Sequence, residues 1–259
     1  MSFSLFRPAP RVVTYRVGSK KLKKDIRLVF LSDLHAEDYG EKQAELISLV
    51  DGLQPQGILF GGDLYDERFG EEKPSETVRL LAEKYLCIYT TGNHEIATHD
   101  LMNARKKAEE AGAVVLAGSG VFPLYRGERI CVCGAEDPLG NEERHQRQMQ
   151  NCVRIAKAHP ELFSILLTHR PERVEEYENS PFDLVLTGHA HGGQWRFPGL
   201  LNGFLAPDQG LFPKYAGGEY KLGSTTMLCS RGLGRQNTFV PRIFNSPEVV
   251  CVDLVREDD

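Results

Sequence analysis

The sequence predicts an α/β domain of two packed sheets with helices outside. Three observations lead there. Short apolar runs alternate with amphipathic helical stretches through the first half. The second half turns to short strands broken by glycine. The chain has 259 residues, which suits one large domain with a deep core, read here as spanning 1–259 without internal repeat, low-complexity tract or linker.

Residues 1–24 read as a lead-in and an edge strand of alternating character at 12–17. The run 27–31 is almost continuously apolar, as expected of a strand covered on both faces. Residues 42–53 are predicted helical, because Ala44, Ile47, Val50 and Leu53 recur at helical spacing. A buried strand at 57–60, a helix at 77–85, a strand at 87–90 and a helix at 101–111 follow, with Gly112 as C-cap. The segments 114–116, 121–125 and 129–132 are short strands expected to pair antiparallel. A polar helix at 141–159 ends before Pro160, and strands at 163–167, 184–186, 226–229 and 249–254 complete the pattern.

Composition narrows the class. Apolar residues make up 41% and charged residues 26%, ordinary for a soluble protein. A formal charge of -5 gives no electrostatic footprint for nucleic acid, so none is expected as partner. It leaves a phosphate substrate open, because bound divalent cations reverse the local field. Five of the six cysteines (Cys87, Cys131, Cys133, Cys229 and Cys251) fall in or directly beside short apolar runs that read as strands, and no pair has redox or zinc-finger spacing. They read as buried thiols of a reducing compartment. The N-terminus lacks a signal-peptide core, Ser2 excludes myristoylation, and no apolar run reaches membrane-span length. A cytoplasmic location is expected. Phe3, Leu5 and Phe6 offer a weak peripheral membrane contact, against which stands an ordinary frayed terminus.

The chemistry sits where the strands end. Asp33 and His35 follow one buried strand, Asp63 and Asp66 the next, and Asn93, His94 and Glu95 the third. His169 follows a fourth, and His189 and His191 a fifth. Each motif alone is unremarkable: a lone Gly-Asp is usually a turn, and a lone buried histidine is usually a satisfied core residue. Together they hold five of the eight histidines, leaving only His99, His145 and His159 elsewhere. In α/β folds, ligands collect at the carboxyl ends of strands, so five such ends converge naturally on one pocket. Imidazole and carboxylate together suit Zn, Fe or Mn better than Ca or Mg. Two cations roughly 3.5–4 Å apart need a bridging oxygen ligand, a task suited to Asp63, and water between them becomes a hydroxide nucleophile near neutral pH. The glycines before Asp63, Asn93 and His189 are expected to permit tight turns.

The set Asp33-x-His35, Gly62-Asp63-x-x-Asp66, Gly92-Asn93-His94-Glu95, His169 and Gly188-His189-x-His191 resembles the complete signature of calcineurin-like metallophosphoesterases. The resemblance implies a four-layer αββα sandwich of two mixed β-sheets flanked by helices. It implies two divalent metal ions (Mn, Fe, Zn or Ni): Asp33, His35 and His191 on one, Asn93, His169 and His189 on the other, with Asp63 bridging. It makes His94 the residue beside the scissile phosphate and Asp66 the carboxylate that orients it. Glu95 is expected to support the ligands rather than bind metal. The segments Gly134-Ala135-Glu136-Asp137-Pro138, Gly188 to Gln194, Ser230-Arg231-Gly232-Leu233-Gly234 and Ser246-Pro247-Glu248 look like the YkuE/YaeI-like bacterial phosphoesterases. Serine/threonine protein phosphatases carry Asp-Arg-Gly after the bridging motif, whereas this chain has Asp66-Glu67-Arg68, which argues against that branch.

The expected reaction is hydrolysis of a phosphodiester or pyrophosphate bond in a small-molecule or lipid-linked substrate. A phosphomonoesterase of the same fold and a non-catalytic metal-binding scaffold are the alternatives. All seven ligand positions and His94 are intact, which weighs against the scaffold. Arg231 and Arg170, with Lys214 and Arg235 behind them, are candidates for substrate phosphate, because the guanidinium fork matches phosphate oxygens. Residues 195–215 are rich in Phe, Leu, Gly and Pro and read either as an apolar lid or as a packed loop. The sequence leaves metal identity, substrate and oligomeric state open.

Overall fold

The computed structural model describes residues 8–66, 68, 70–97, 101–197, 201–235 and 241–258. Phe3, Leu5, Phe6, Glu67 and His99 lie outside the described residues.

The doubly apolar strands occupy the centre. In Ile26–Leu31, alternate side chains point to opposite faces, and both faces are buried. Leu28 and Phe30 turn towards the second sheet, whereas Val29 and Leu31 turn towards helices. The first sheet runs Arg11–Ser19, Glu248–Arg256, Ile26–Leu31, Gly57–Gly61, Leu86–Thr90, Val114–Val115. Glu248–Arg256 lies antiparallel to Ile26–Leu31, and the other pairings are parallel. The second sheet runs Gly218–Leu222, Thr225–Cys229, Leu184–Thr187, Ser164–Leu167, Cys131–Gly134, Ser119–Val121, with both outermost pairings antiparallel and the inner ones parallel.

Leu28, Phe30, Leu59 and Val252 of the first sheet share one core with Val132, Ile165, Leu186 and Leu228 of the second. The other face of the first sheet packs on helices Ala44–Gly52, Glu72–Ala82 and Leu101–Glu110 through Leu46, Val78 and Ala108. The other face of the second sheet packs on Glu142–Ala158 and Val174–Tyr177 through Met149, Cys152 and Tyr177. The result is a four-layer αββα sandwich of two mixed sheets. All six cysteines are buried and unpaired by disulfides. Among the described residues no helix is long and apolar enough to cross a membrane.

Three local expectations need correction. The first helix begins at Ala44, because Lys42 and Gln43 take φ of 51° and 52°. The Gln43 side chain is spent on Tyr39 N, Glu37 O and Thr77 Oγ1, which fixes that kink. The helix accordingly buries Leu46 and Val50 and leaves Ala44 exposed. The second helix begins at Glu72, with Pro74 inside its first turn, where a missing N–H costs no helical bond. Val114–Val115 pairs parallel with Leu86–Thr90 in the first sheet, not antiparallel. The chain crosses to the second sheet only after Gly118, at φ +73°. Strand propensity is local, but the choice of partner is made by that turn.

Candidate metal centre

The parallel strands of both sheets end at the same edge, and their bonds cross there. His169 Nδ1 lies 2.7 Å from Gly61 O, and His189 N donates to Asp33 Oδ1 at 2.9 Å. The predicted ligands follow those ends within a few residues. Asp33, His35, Asp63, His169, His189 and His191 are buried, Asn93 is partly buried, and the His94 side chain is 30% exposed.

The backbone reaches this arrangement through strain in the predicted ligands themselves. Asp33, His35, Asp63, His189 and His191 have φ of 51°, 47°, 52°, 65° and 47°. Such left-handed residues cost on the order of 1–3 kcal/mol each and gather at functional sites. Of the three glycines expected to make turns, Gly62 does have φ +90°. Gly92 and Gly188 have negative φ and serve a different purpose. A Cβ on Gly92 would stand 2.2 Å from Asp63 Oδ1, and one on Gly188 would stand 2.3 Å from Asp33 Oδ2. They are glycine because the carboxylate of Asp63 or Asp33 occupies the space.

Two clusters form. Asp33, His35 and His191 present ligand atoms within 4.8 Å of one another, and so do Asp63, His169 and His189. His35 Nε2 and His191 Nε2 are 3.2 Å apart, and His169 Nε2 and Asp63 Oδ2 are 3.1 Å apart. Donor atoms on one tetrahedral cation at about 2.0–2.1 Å would be separated by about 3.3 Å. Asn93 Oδ1 and His169 Nε2 are buried without a hydrogen-bond partner, and that leaves both atoms available to a cation. Asp63 Oδ2 joins the clusters, lying 3.1 Å from His169 Nε2 and 3.9 Å from His35 Nε2. The residues present therefore fit a pair of divalent cations.

Charge is balanced inside the site. Burial alone pulls the His169 pKa down, but Asp63 outweighs it and raises the imidazole well above its usual range. Burial raises the Asp63 carboxyl, yet His169 and His35 hold it well below the carboxylate range. His35 is likewise pulled down by burial and raised on balance by Asp66, Asp63 and Asp33. Burial, His35 and Arg242 push His191 well down. His94 is lowered by burial, with Asp63 opposing.

The supporting contacts are equally specific. Glu95 accepts from four backbone N–H groups: Asp63 at 3.0 Å, Leu64 at 2.7 Å, Tyr65 at 3.0 Å and Gly92 at 2.7 Å. One carboxylate thus pins the two loops that carry Asp63 and Asn93. Burial and Asp63 push it up to about 7, against those donors. Asp66 Oδ2 lies 3.4 Å from His94 Nδ1 and 3.1 Å from His35 Nδ1, so it orients a predicted metal ligand as well. Arg68 clamps the same carboxylate through Nε at 2.8 Å and Nη2 at 2.6 Å. The loop Ser230 to Gly234 backs Asp33: Leu233 N donates to Ser32 O, and a Cβ on Gly232 would stand 2.6 Å from Asp33 Cβ.

The arginine candidates are engaged by carboxylates. Arg231 Nε lies 3.3 Å from Glu248 Oε2, and Arg235 pairs with Glu45 while covering the Tyr39 ring. Arg170 is held by Asp137 and Asp208. Lys214 sits over the Tyr215 ring, 5.0 Å from its centroid. In the 195–215 segment, Trp195 stacks on Phe204, while Leu211 and Phe212 stay exposed. Sequence reasoning missed Asp208, which bonds His189, and Asn245, whose Nδ2 donates to His191 O. Nothing in their sequence neighbourhoods marks them.

The profile of calcineurin-like phosphoesterases matches residues 26–193, which contain every ligand named above. The chain belongs to the calcineurin-like phosphoesterase family. It is an α/β metallophosphoesterase, a hydrolase of phosphoric esters. The metallophosphoesterase YkuE of Bacillus subtilis is 29% identical over 238 residues, covering 88% of this chain and 78% of YkuE. The phosphodiesterase YaeI of Escherichia coli is 26% identical over 235 residues, covering 88% and 82%. Among solved structures, TT1561 of Thermus thermophilus superposes with a TM-score of 0.55 over 81% of this phosphoesterase and 91% of that chain, at 13% identity. That likeness speaks for the fold.

Proposed function

We propose that this phosphoesterase hydrolyses a phosphodiester or pyrophosphate bond with the help of two divalent metal ions. The observation that carries this reading is the position of Asp63 Oδ2, within 3.1 Å of one cluster's imidazole and 3.9 Å of the other's. Asp33, His35 and His191 would hold one ion, Asn93, His169 and His189 the other, with Asp63 shared. Bound cations supply Lewis acidity towards phosphoryl oxygens and make a coordinated water nucleophilic near neutral pH. The chain's own residues do the rest. Glu95 and Ser230 to Gly234 hold the carboxylates in place. His94, tied to Asp66 through Nδ1, offers its other nitrogen to the leaving oxygen, to stabilise or protonate it.

YaeI is named a phosphodiesterase, and that name supports a diester here. Exposed Leu211 and Phe212, beyond the last ligand in the chain, support a substrate with an apolar portion, small or lipid-linked. The test is hydrolysis by metal-stripped protein to which Mn, Fe(II), Zn, Ni, Co or Mg is returned, offered p-nitrophenyl phosphate beside its bis ester. Restored turnover favouring the bis ester is expected. Preference for the monoester overturns the diester reading, and stoichiometric metal binding with no turnover on either points to a scaffold or to an enzyme selective for another ester.

A further inference from the structure

The histidines of the two clusters do not face their supports alike. His35 and His169 each have Nδ1 against an oxygen, Asp66 Oδ2 at 3.1 Å and Gly61 O at 2.7 Å. With a proton on Nδ1, each keeps its lone pair on Nε2. His189 is turned the other way: its Nε2 lies 2.9 Å from Asp208 Oδ2. Donation from Nε2 to that carboxylate leaves the lone pair on Nδ1.

Asp208 is placed with care. It sits between the paired segments Leu205–Ala206 and Gly210–Leu211, at φ +56°. The neighbouring Gln209 locks the hairpin to the loop behind it, its side chain donating to Tyr215 O at 2.8 Å and accepting from Tyr215 N at 2.9 Å. The oxygen that meets His189 also accepts from Arg170 Nη1 at 2.6 Å. Arg170 is fixed in turn by fully buried Asp137, through Nε at 2.7 Å and Nη2 at 3.2 Å, and Tyr177 Oη donates to its carbonyl at 2.7 Å. Arg170 directly follows His169, so one chain of bonds runs Asp137, Arg170, Asp208, His189 and closes beside the same cluster.

We infer that Asp208 is a positioning residue for the second metal, fixing the His189 tautomer so that Nδ1 is its ligand atom. Arg170 serves that carboxylate rather than a substrate phosphate. This rests on the two-metal reading above. A carboxylate behind a ligating imidazole sets its orientation and raises its basicity, and losing one typically weakens metal affinity about 10–100-fold.

The test is chelator competition with Zn(II) or Mn(II), on wild type, Asp208→Ala and Asp208→Asn, with the melting temperature of each metal-free form. Asp208→Ala is expected to weaken the second equivalent by about 10–100-fold, leaving the first and the metal-free melting temperature near wild type. Asp208→Asn keeps an accepting oxygen and falls between the two. Unchanged affinity in Asp208→Ala, or equal loss in both variants, overturns the role of Asp208. A wild type that binds fewer than two equivalents overturns the two-metal reading instead.

Discussion

Gly92→Ala isolates the geometric demand of the site. Gly92 has negative φ, so alanine meets no backbone penalty there. What it meets is Asp63, with Oδ1 at 2.2 Å and N at 2.7 Å from the new Cβ. Bringing the first contact out to the ordinary 3.4 Å requires Asp63 Oδ1 to recede by about 1 Å. Metal–ligand distances tolerate only about 0.2 Å, so on the two-metal reading the Asp63 carboxylate would leave both cations' reach. Overpacking of this kind costs about 1–3 kcal/mol, and that loss should appear in urea unfolding of the metal-free protein. Gly52→Ala is the matched control, since nothing lies within 4 Å of its Cβ and its φ is negative. It should be neutral or stabilise by up to about 1 kcal/mol. Metal content after gel filtration reads out the difference. Gly92→Ala retaining two equivalents at wild-type affinity would refute the claim that Gly92 makes room for a ligand.

Two further substitutions divide metal binding from turnover. Asp63→Asn should weaken both metal equivalents, whereas His94→Ala should keep them and slow kcat by about 10²–10⁴-fold; equal metal loss in both variants sinks that division. Behind the 230–234 loop, burial pushes the Glu248 carboxyl up to about 7, with Arg11, Arg196 and Arg242 opposing. A raised folded-state pKa stabilises most below the unfolded value of 4.5, and the gain is lost as pH rises through 7. The rise corresponds to roughly 3 kcal/mol, so unfolding of the metal-free protein between pH 5 and 8 should flatten in Glu248→Gln. An unaltered pH profile would show that Glu248 is ionised throughout.

The clustering of the predicted ligands was legible because each follows a short, doubly apolar strand, so chemistry and fold share one local signal. Asp33 after 27–31 and His189 after 184–186 are instances: the run predicts a buried strand, and the next polar residues must lie at its carboxyl end. The helix beginning at Ala44 shows the limit. Its start depends on Gln43 bonding to Thr77, 34 residues away, and periodicity carries no trace of that contact. The parallel placement of Val114–Val115 was hidden for the same reason, since only the turn at Gly118 separates it from antiparallel neighbours.

The supports of the site were hidden in a more instructive way. Glu95 lies two residues from Asn93, inside the family motif, and its supporting role was implied by that resemblance. Asp208 lies 19 residues from His189, at the tip of a hairpin in an apolar segment, and Asn245 reaches His191 across 54. A ligand must leave a strand end, which restricts where it can occur. A supporting carboxylate needs only to arrive within hydrogen-bond reach of an imidazole, and any loop can deliver it. The left-handed φ of five predicted ligands adds a second constraint, because strained residues persist only where surrounding contacts over-determine them. The bonds from Glu95, Asp66, Asp208 and the 230–234 loop are those contacts. Sequence therefore names the residues that would touch metal and, in Glu95 and Asp66, part of their support, while Asp208 and Asn245 arrive on loops with no motif of their own.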